Sequence, residues 1–195
     1  MNKPVFLFVL LVLLLTASVA VAQNPPVLAP LPTSNLEKFA TRKDAIITTE
    51  SYYVLRLSGD SGCRIRLQAL IVYEEGRESL QVRGMKVDLS DGKAGKDEHT
   101  ATAFVDAQEL DGLVRSITSM LESGAKQAAL PNLVSREISF STVGGLTLSM
   151  VQRDTGSRQL LVTHALQPET VCTISQSSTV IELRTAIEQV LQSLK

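Results

Sequence analysis

Aromatic residues and histidines are scarce in this sequence of 195 residues. There is no tryptophan, and aromatic residues make up only 4% of the chain. Sites that hold sugars or unpaired bases usually stack them on aromatic faces, so the scarcity argues against both ligand classes. Only two histidines are present, His99 and His164, whereas a metal site generally needs three or four converging ligands. We therefore expect no metal and no cofactor, and we interpret Asp97, Glu98 and His99 as part of a solvated loop.

Long hydrophobic runs are absent after the first 22 residues. Within them, Lys3 is followed by an apolar run from Val5 to Leu15 and by a small-residue end with the A-x-A pattern. A basic start, an apolar centre and such an end are typical of a secretory signal peptide. We therefore predict that residues 1–22 are a signal peptide cleaved near Ala22/Gln23, and that the mature protein is periplasmic or secreted.

The alternative for this segment is an uncleaved membrane anchor, because the stretch from Pro4 to Ala22 approaches the roughly 20 apolar residues that span a bilayer. The polar sequence Gln-Asn-Pro-Pro follows at once, which favours cleavage by a signal peptidase over retention of the segment in a bilayer. No later segment is long enough to cross a membrane. We therefore expect no membrane span in the mature chain.

An excess of either charge is also missing. The chain has 19 Lys and Arg residues and 20 Asp and Glu residues, for a formal net charge of -1. That balance does not call for nucleic acid or for an acidic surface as a partner. We expect the partner to be an unknown protein of the cell envelope or an anionic ligand, and we do not favour nucleic acid.

Cysteine is limited to Cys63 and Cys172. An exported compartment permits the two thiols to form a disulfide. A bridge across so long a loop could stabilise the fold by about 4 to 5 kcal/mol. The alternative is two separate buried thiols that act as small apolar side chains.

The rest of the chain is organised in strands and helices. Residues 23–34 form a proline-rich linker, and the capping-box spacing of Ser34 and Glu37 predicts a short helix. Gly144 and Gly145 predict a bulge or a close approach of another backbone. Alternation with period two predicts eight strands in two groups, at 45–58, 63–73, 79–89 and 99–105, and at 136–142, 145–153, 158–165 and 170–175.

A helical pattern follows each group of strands. Asp106 and Glu109 have capping-box spacing, and Thr179 and Glu182 repeat it. Shifting the chain by seventy residues aligns the two patterns, which indicates internal duplication. The shift places Phe104 on Ile174, Leu110 on Val180, Leu113 on Leu183, Ile117 on Ile187, Met120 on Val190 and Leu121 on Leu191.

These patterns predict an α+β fold of two ββββα repeats, each an antiparallel four-stranded sheet packed on one C-terminal helix. The first repeat covers residues 35–125, with the short N-terminal helix, and the second covers residues 126–195. This topology is similar to the ββββα units of Whirly-type and PC4-type single-stranded DNA binders. The resemblance is architectural and includes no sequence motif, and predicted export and balanced charge argue against the DNA function it implies.

Arginines supply the best candidate for a binding site. Alternation in the first sheet places Arg56, Arg64, Arg66 and Arg83 on the face opposite the apolar residues of the same strands, and a bulge at Gly84 would add Lys86. Guanidinium groups clustered on a sheet could bind a carboxylate, a phosphate or an acidic segment of a partner. The alternative is an ordinary solvated sheet face.

One further segment resembles an enzyme motif. Gly59-Asp60-Ser61-Gly62-Cys63 is similar to the GDSGG segment around the nucleophile of chymotrypsin-like proteases, which implies that Ser61 attacks a carbonyl with a histidine as base. In that family the histidine precedes the serine, whereas His99 and His164 both follow Ser61. A β-turn between two strands explains the same residues without chemistry.

We therefore expect a non-enzymatic exported binding or interaction domain of the bacterial cell envelope, with Arg56, Arg64, Arg66 and Arg83 as its binding residues. One alternative is a serine-type hydrolase that uses Ser61. Another is a single-stranded nucleic-acid-binding protein of Whirly/PC4-like architecture.

Overall fold

The structure is a computed structural model that describes residues 33–93, 98–125, 134–153 and 156–195. The predicted signal peptide, nearly all of the predicted linker and Asp97 lie outside the described residues. Within the part of the chain that is described, none of the helices combines the length and apolar character needed to cross a membrane.

The first repeat begins with a short helix, α1, and continues with four strands and a long helix. The strands form one antiparallel sheet in the order β1-β2-β3-β4. The elements are α1 (Asn35–Ala40), β1 (Ile47–Ser58), β2 (Arg64–Glu74), β3 (Arg77–Ser90), β4 (Thr100–Asp106) and α2 (Ala107–Ala125).

The second repeat has the same order of elements without the short helix. Its strands form a second antiparallel sheet in the order β5-β6-β7-β8. The elements are β5 (Ser135–Ser141), β6 (Leu146–Arg153), β7 (Arg158–His164), β8 (Gln167–Ile174) and α3 (Ser177–Ser193). The prediction of two antiparallel four-stranded sheets, each followed by a helix, is confirmed.

The two repeats share one hydrophobic core. α2 contacts β3 and β4 as well as β5, while α3 contacts β1, β2 and β3 as well as β8, and the two helices contact each other. The sequence predicts that each helix packs on its own sheet, but α3 also covers the first sheet. Four strands are about 14 Å across and a helix is about 10 Å wide, so one helix cannot cover the sheet alone.

The apolar stripes of the two helices account for their position in this core. Four of the six pairs of positions aligned by the seventy-residue shift are buried in both repeats, and the strand before each helix contributes one core residue at its end. The buried helix pairs are Leu110 and Val180, Leu113 and Leu183, Ile117 and Ile187, and Met120 and Val190.

The alignment of Phe104 with Ile174 is wrong. Ile174 lies in the shared core, whereas Phe104 packs on the other face of the first sheet, against α1. Val105 takes the core position in the first repeat. The strand-to-helix connections explain why the core residue differs by one position between the repeats. α2 begins directly after β4, whereas β8 ends at Ile174 and α3 begins only at Ser177.

The predicted helix caps are only partly correct. The Ser34 hydroxyl accepts a hydrogen bond from the Glu37 N–H at 3.0 Å, as a cap should. The Thr179 prediction is wrong, because α3 begins at Ser177, before Thr179, and no side chain caps it. Tertiary packing of the apolar stripe therefore sets the start of α3 without a capping residue.

Candidate anion-binding site

The first sheet has an outer face that turns away from the shared core, and α1 covers half of it. Leu36 of α1 is fully buried there against Leu70 and Val72. The Asp106 carboxylate fixes the helix by accepting hydrogen bonds from the N–H groups of Asn35 and Leu36, at 2.9 and 2.8 Å. These two N–H groups lack partners within the helix, so Asp106 holds α1 in place.

The other half of the outer face is an open cleft of about 360 Å³. Two rows of side chains cross it from β1 to β4, because residues opposite each other on adjacent strands share a face. One row is Arg56, Arg66, Asp88 and Thr102, and the other is Ser58, Arg64, Ser90 and Thr100.

Arg64 is already paired inside the cleft. Its Nη2 atom forms an ion pair with Glu98 and a hydrogen bond to the Ser90 hydroxyl at 3.4 Å. The Ser90 hydroxyl and then the Arg64 guanidinium, by hydrogen bonding to Glu98, lower the pKa of that carboxyl. Arg64 therefore brings a charge that Glu98 balances in the absence of a ligand.

Arg56 and Arg66 differ from Arg64, because no carboxylate of the described residues pairs with them. They lie directly opposite each other on β1 and β2, and both are exposed. Within the described residues, neither guanidinium takes part in a hydrogen bond or an ion pair. Like charges directly opposite on a sheet repel each other. An anion between the two guanidinium groups would relieve that repulsion and accept bidentate hydrogen bonds.

Asp88 faces Arg66 across the strands but is bonded elsewhere. Its carboxylate accepts a hydrogen bond from the Thr102 hydroxyl at 2.8 Å and forms an ion pair with Lys86 at 3.1 Å. Both contacts use Oδ1, and within the described residues this carboxylate forms no ion pair with Arg66. The cleft thus keeps its two unbalanced arginines although an acidic residue lines it.

Arg83 does not belong to this site, which corrects the sequence prediction. It lies opposite Ile71 on the core-side face, and its Nη1 atom donates hydrogen bonds to the main-chain oxygens of Leu194 and Lys195, at 2.5 and 3.3 Å. The apolar residue Val82 misled the prediction, because it packs under α1 on the outer face and not in the shared core.

Lys86 lies on the outer face without the bulge that the sequence analysis invokes. Gly84 pairs regularly with Leu70 and Asp106. The glycine is needed for another reason, because a Cβ atom there would lie 2.3 Å from the Val105 oxygen and 2.9 Å from Leu36 Cδ2. Gly84 therefore gives α1 the room to approach the sheet.

The segment Gly59–Cys63 joins the first repeat to the second. Cys63 and Cys172 form a disulfide with their Cα atoms 5.2 Å apart, and the Ser175 hydroxyl donates a hydrogen bond to the Asp60 carboxylate at 2.6 Å. A Cβ atom on Gly59 would lie 2.4 Å from the Thr173 oxygen. These contacts give the glycine and the aspartate of the motif a structural role.

The chemistry around Ser61 is incomplete. Ser61 has a φ of 56°, in the left-handed region, but no hydrogen bond connects it to His99 or His164 within the described residues. His99 instead pairs through Nδ1 with Asp91 at 2.9 Å. His164 is buried, which lowers its pKa, and its Nδ1 atom accepts a hydrogen bond from the Leu166 N–H at 3.2 Å.

The Asp91 carboxylate is the most strongly perturbed acid in the described chain. Its burial alone would raise its pKa, but hydrogen bonds from His99 and from the backbone N–H of Lys93 outweigh burial and hold the pKa well below its usual value. The same contacts connect Asp91 to Lys93 and His99, in the described parts of the segment between β3 and β4, and Glu98 beside His99 lines the cleft. No set of three or more metal-ligating side chains occurs in this or any other described segment.

A second contact between the repeats was missed by sequence analysis. The Glu109 carboxylate accepts hydrogen bonds from the N–H groups of Asp106 and Val143, at 3.2 and 2.8 Å. Gly144 lies directly against β4, and a Cβ atom there would fall 1.7 Å from the Phe104 oxygen. The prediction of a close backbone approach at Gly144 is confirmed, but no sequence pattern indicates that β4 is the strand it approaches.

Comparison with known proteins gives no family to which the chain can be assigned, because no protein-family model matches it and no curated protein matches its sequence.

Proposed function

We propose that this protein is a non-enzymatic binding module of the bacterial cell envelope, exported by its N-terminal signal peptide. Its ligand is anionic and binds between Arg56 and Arg66, with Arg64 beside them. The observation that carries the proposal is the pair itself, since two exposed arginines lie directly opposite each other on adjacent strands and neither forms an ion pair with a carboxylate of the described residues. Carboxylates and phosphates match the planar, bidentate donors of arginine.

The surrounding cleft supports this ligand class. The hydroxyl group of Thr100 lines the side of the cleft opposite the arginines, and it can donate a hydrogen bond to a second part of an anion. The Thr102 hydroxyl beside it already donates to Asp88. Glu98 lies at the edge of the same cleft, where it balances only Arg64. The site therefore combines two available cations with an uncharged donor, which is the chemistry of an anion site rather than of a catalytic centre.

A titration at low ionic strength tests the proposal, with citrate and inorganic phosphate as probes. We expect Arg56→Gln and Arg66→Gln each to weaken binding about tenfold, because a hydrogen bond to a charged group contributes about 1.5–3 kcal/mol. Arg115→Gln is the matched control, because Arg115 is an exposed arginine of α2 without an ion pair in the described chain. Equal binding by wild type and by the double variant Arg56→Gln/Arg66→Gln would refute the proposal.

A serine-type hydrolase is the second candidate, and two observations favour it. His99 is paired with Asp91 as the base of a catalytic triad would be, and Ser61 has the strained backbone that functional residues often show. Labelling with a serine-reactive fluorophosphonate separates the two functions. Labelling that disappears in Ser61→Ala would establish the hydrolase, whereas unlabelled folded protein that binds citrate supports the binding module.

A further inference from the structure

β1 is an edge strand, and its free side lies next to the arginine pair. It has 12 residues, from Ile47 to Ser58, and among the described strands it pairs with β2 alone. Across the described chain, no main-chain hydrogen bond connects its other side to another element. Ser51, Tyr52 and Tyr53, in the middle of the strand, are exposed. An unpaired edge of this kind presents a row of N–H and C=O groups to an incoming strand.

The position of the arginines relative to this edge favours one type of ligand. A strand added to β1 would lie about 4.8 Å beyond it, and its side chains on the outer face would be direct neighbours of Arg56. Arg66 is one strand further in, within reach of a long acidic side chain. A bulge at Val54 places Tyr53 on this same outer face, opposite Gln68.

The acidic residue of β1 lies on the other face. Glu50 is opposite Ile71 on the core side of the sheet, and it accepts hydrogen bonds from the hydroxyls of Tyr52 and Tyr73, at 2.8 and 3.2 Å. An incoming strand would therefore meet positive charge on its outer face and negative charge on its inner face. Since side chains alternate between the two faces, the best match is an acidic residue at every second position, with uncharged residues between.

We propose that the ligand is an extended acidic segment of a partner protein, which adds to β1 as a fifth strand and places alternate carboxylates against Arg56 and Arg66. This inference rests on the proposed function and specifies its ligand. Main-chain hydrogen bonds supply affinity in strand addition, while alternate side chains supply specificity. Small anions can use only the side-chain contacts with the arginines, because they form no main-chain hydrogen bonds with β1.

A peptide of about ten residues with alternating glutamate and threonine tests the inference. Its control is the same peptide N-methylated at every second residue, which keeps the charges but removes main-chain donors on one side. We expect the plain peptide to bind at least about tenfold more tightly than the N-methylated peptide whose blocked N–H groups face β1, and about as tightly as the peptide methylated at the other set of alternate residues. We also expect binding to slow hydrogen exchange of amides in the segment Thr49–Tyr53, and to be unaffected by Arg115→Gln.

The outcomes separate this inference from the proposed function. Citrate binding that depends on Arg56 and Arg66, together with equal binding of the plain peptide and both N-methylated peptides, would leave the anion site standing and overturn strand addition. Failure of every anionic probe would overturn both. Peptide binding without any change in hydrogen exchange of β1 would also overturn strand addition, as would pairing of β1 with a second copy of the chain, seen as a doubled mass in sedimentation.

Discussion

Arg83 donates a hydrogen bond from its Nη1 atom to the main-chain oxygen of Leu194 at 2.5 Å, which joins the third strand of the first sheet to the end of α3. The last carbonyls of a helix have no partner within it, and a cation near them is favourable. Arg83 therefore holds the C-terminal helix of the second repeat on the sheet of the first.

Replacement of Arg83 by glutamine is expected to lower stability without weakening anion binding. The lost hydrogen bonds to α3 are expected to cost about 1–3 kcal/mol of the free energy of unfolding. Urea denaturation measures this cost, and the citrate titration of the same variant measures binding. A loss of citrate affinity in folded Arg83→Gln, comparable to that of Arg66→Gln, would contradict our placement of Arg83 outside the site.

Removal of the disulfide is expected to destabilise the whole described fold, because it links β8 to the start of β2. Cys63 and Cys172 are separated by 109 residues in sequence, and the chain-entropy model gives about 4 to 5 kcal/mol for so long a loop. Urea denaturation of wild type with and without reductant, and of Cys63→Ala/Cys172→Ala, measures the effect. Wild type should respond to reductant and the double variant should not, whereas equal stability of all forms would contradict a structural role.

Two glycine-to-alanine replacements should have opposite effects. Gly144→Ala would place a Cβ atom 1.7 Å from the Phe104 oxygen, so the two repeats must separate locally, and we expect a loss of about 1–3 kcal/mol, as for other overpacked sites. Gly112 lies inside α2, where an added Cβ would meet the Phe140 ring at 3.4 Å. Gly112→Ala should therefore be neutral or stabilise by up to about 1 kcal/mol. Thermal melts compare the stability of both variants with that of wild type. A Gly144→Ala variant as stable as wild type would contradict the close contact.

Asp91 is expected to make stability depend on pH in the acidic range. Its pKa in the folded state is depressed, chiefly by hydrogen bonds from His99 and Lys93 that overcome its burial. A depressed pKa contributes stability above the unfolded-state value of about 3.9, and this contribution is lost as the pH falls toward the folded-state value. The difference in denaturation midpoint between wild type and Asp91→Asn should therefore shrink from pH 6 to pH 2. A constant difference would contradict this account.

Much of the fold follows from local sequence patterns. Alternation with period two located all eight strands, because each strand of an antiparallel sheet buries one side against a core. The helical stripes were equally clear, since Leu110, Leu113, Ile117 and Met120 recur at the spacing of one helix face. Such patterns depend only on residues that are close in sequence, so they can be recognised without knowledge of the tertiary contacts.

The arginine site was only partly predictable for the opposite reason. Arg56, Arg64 and Arg66 were grouped correctly, since they precede or alternate with core residues of β1 and β2. Arg83 was misplaced because the first sheet has apolar residues on both faces, and the sequence does not show that α1 covers Val82 from outside. The partners of Arg83 and Glu109 lie in the other repeat, and contacts across repeats leave no local pattern.

The most direct test of the anion site is a nuclear magnetic resonance titration of the arginine side-chain Nε–H signals with citrate. We expect the signals of Arg56 and Arg66 to shift in a saturable way at the same citrate concentration, while those of Arg83 and Arg115 stay in place. Shifts spread equally over all four arginines, or no saturable shift at Arg56 and Arg66, would contradict the account.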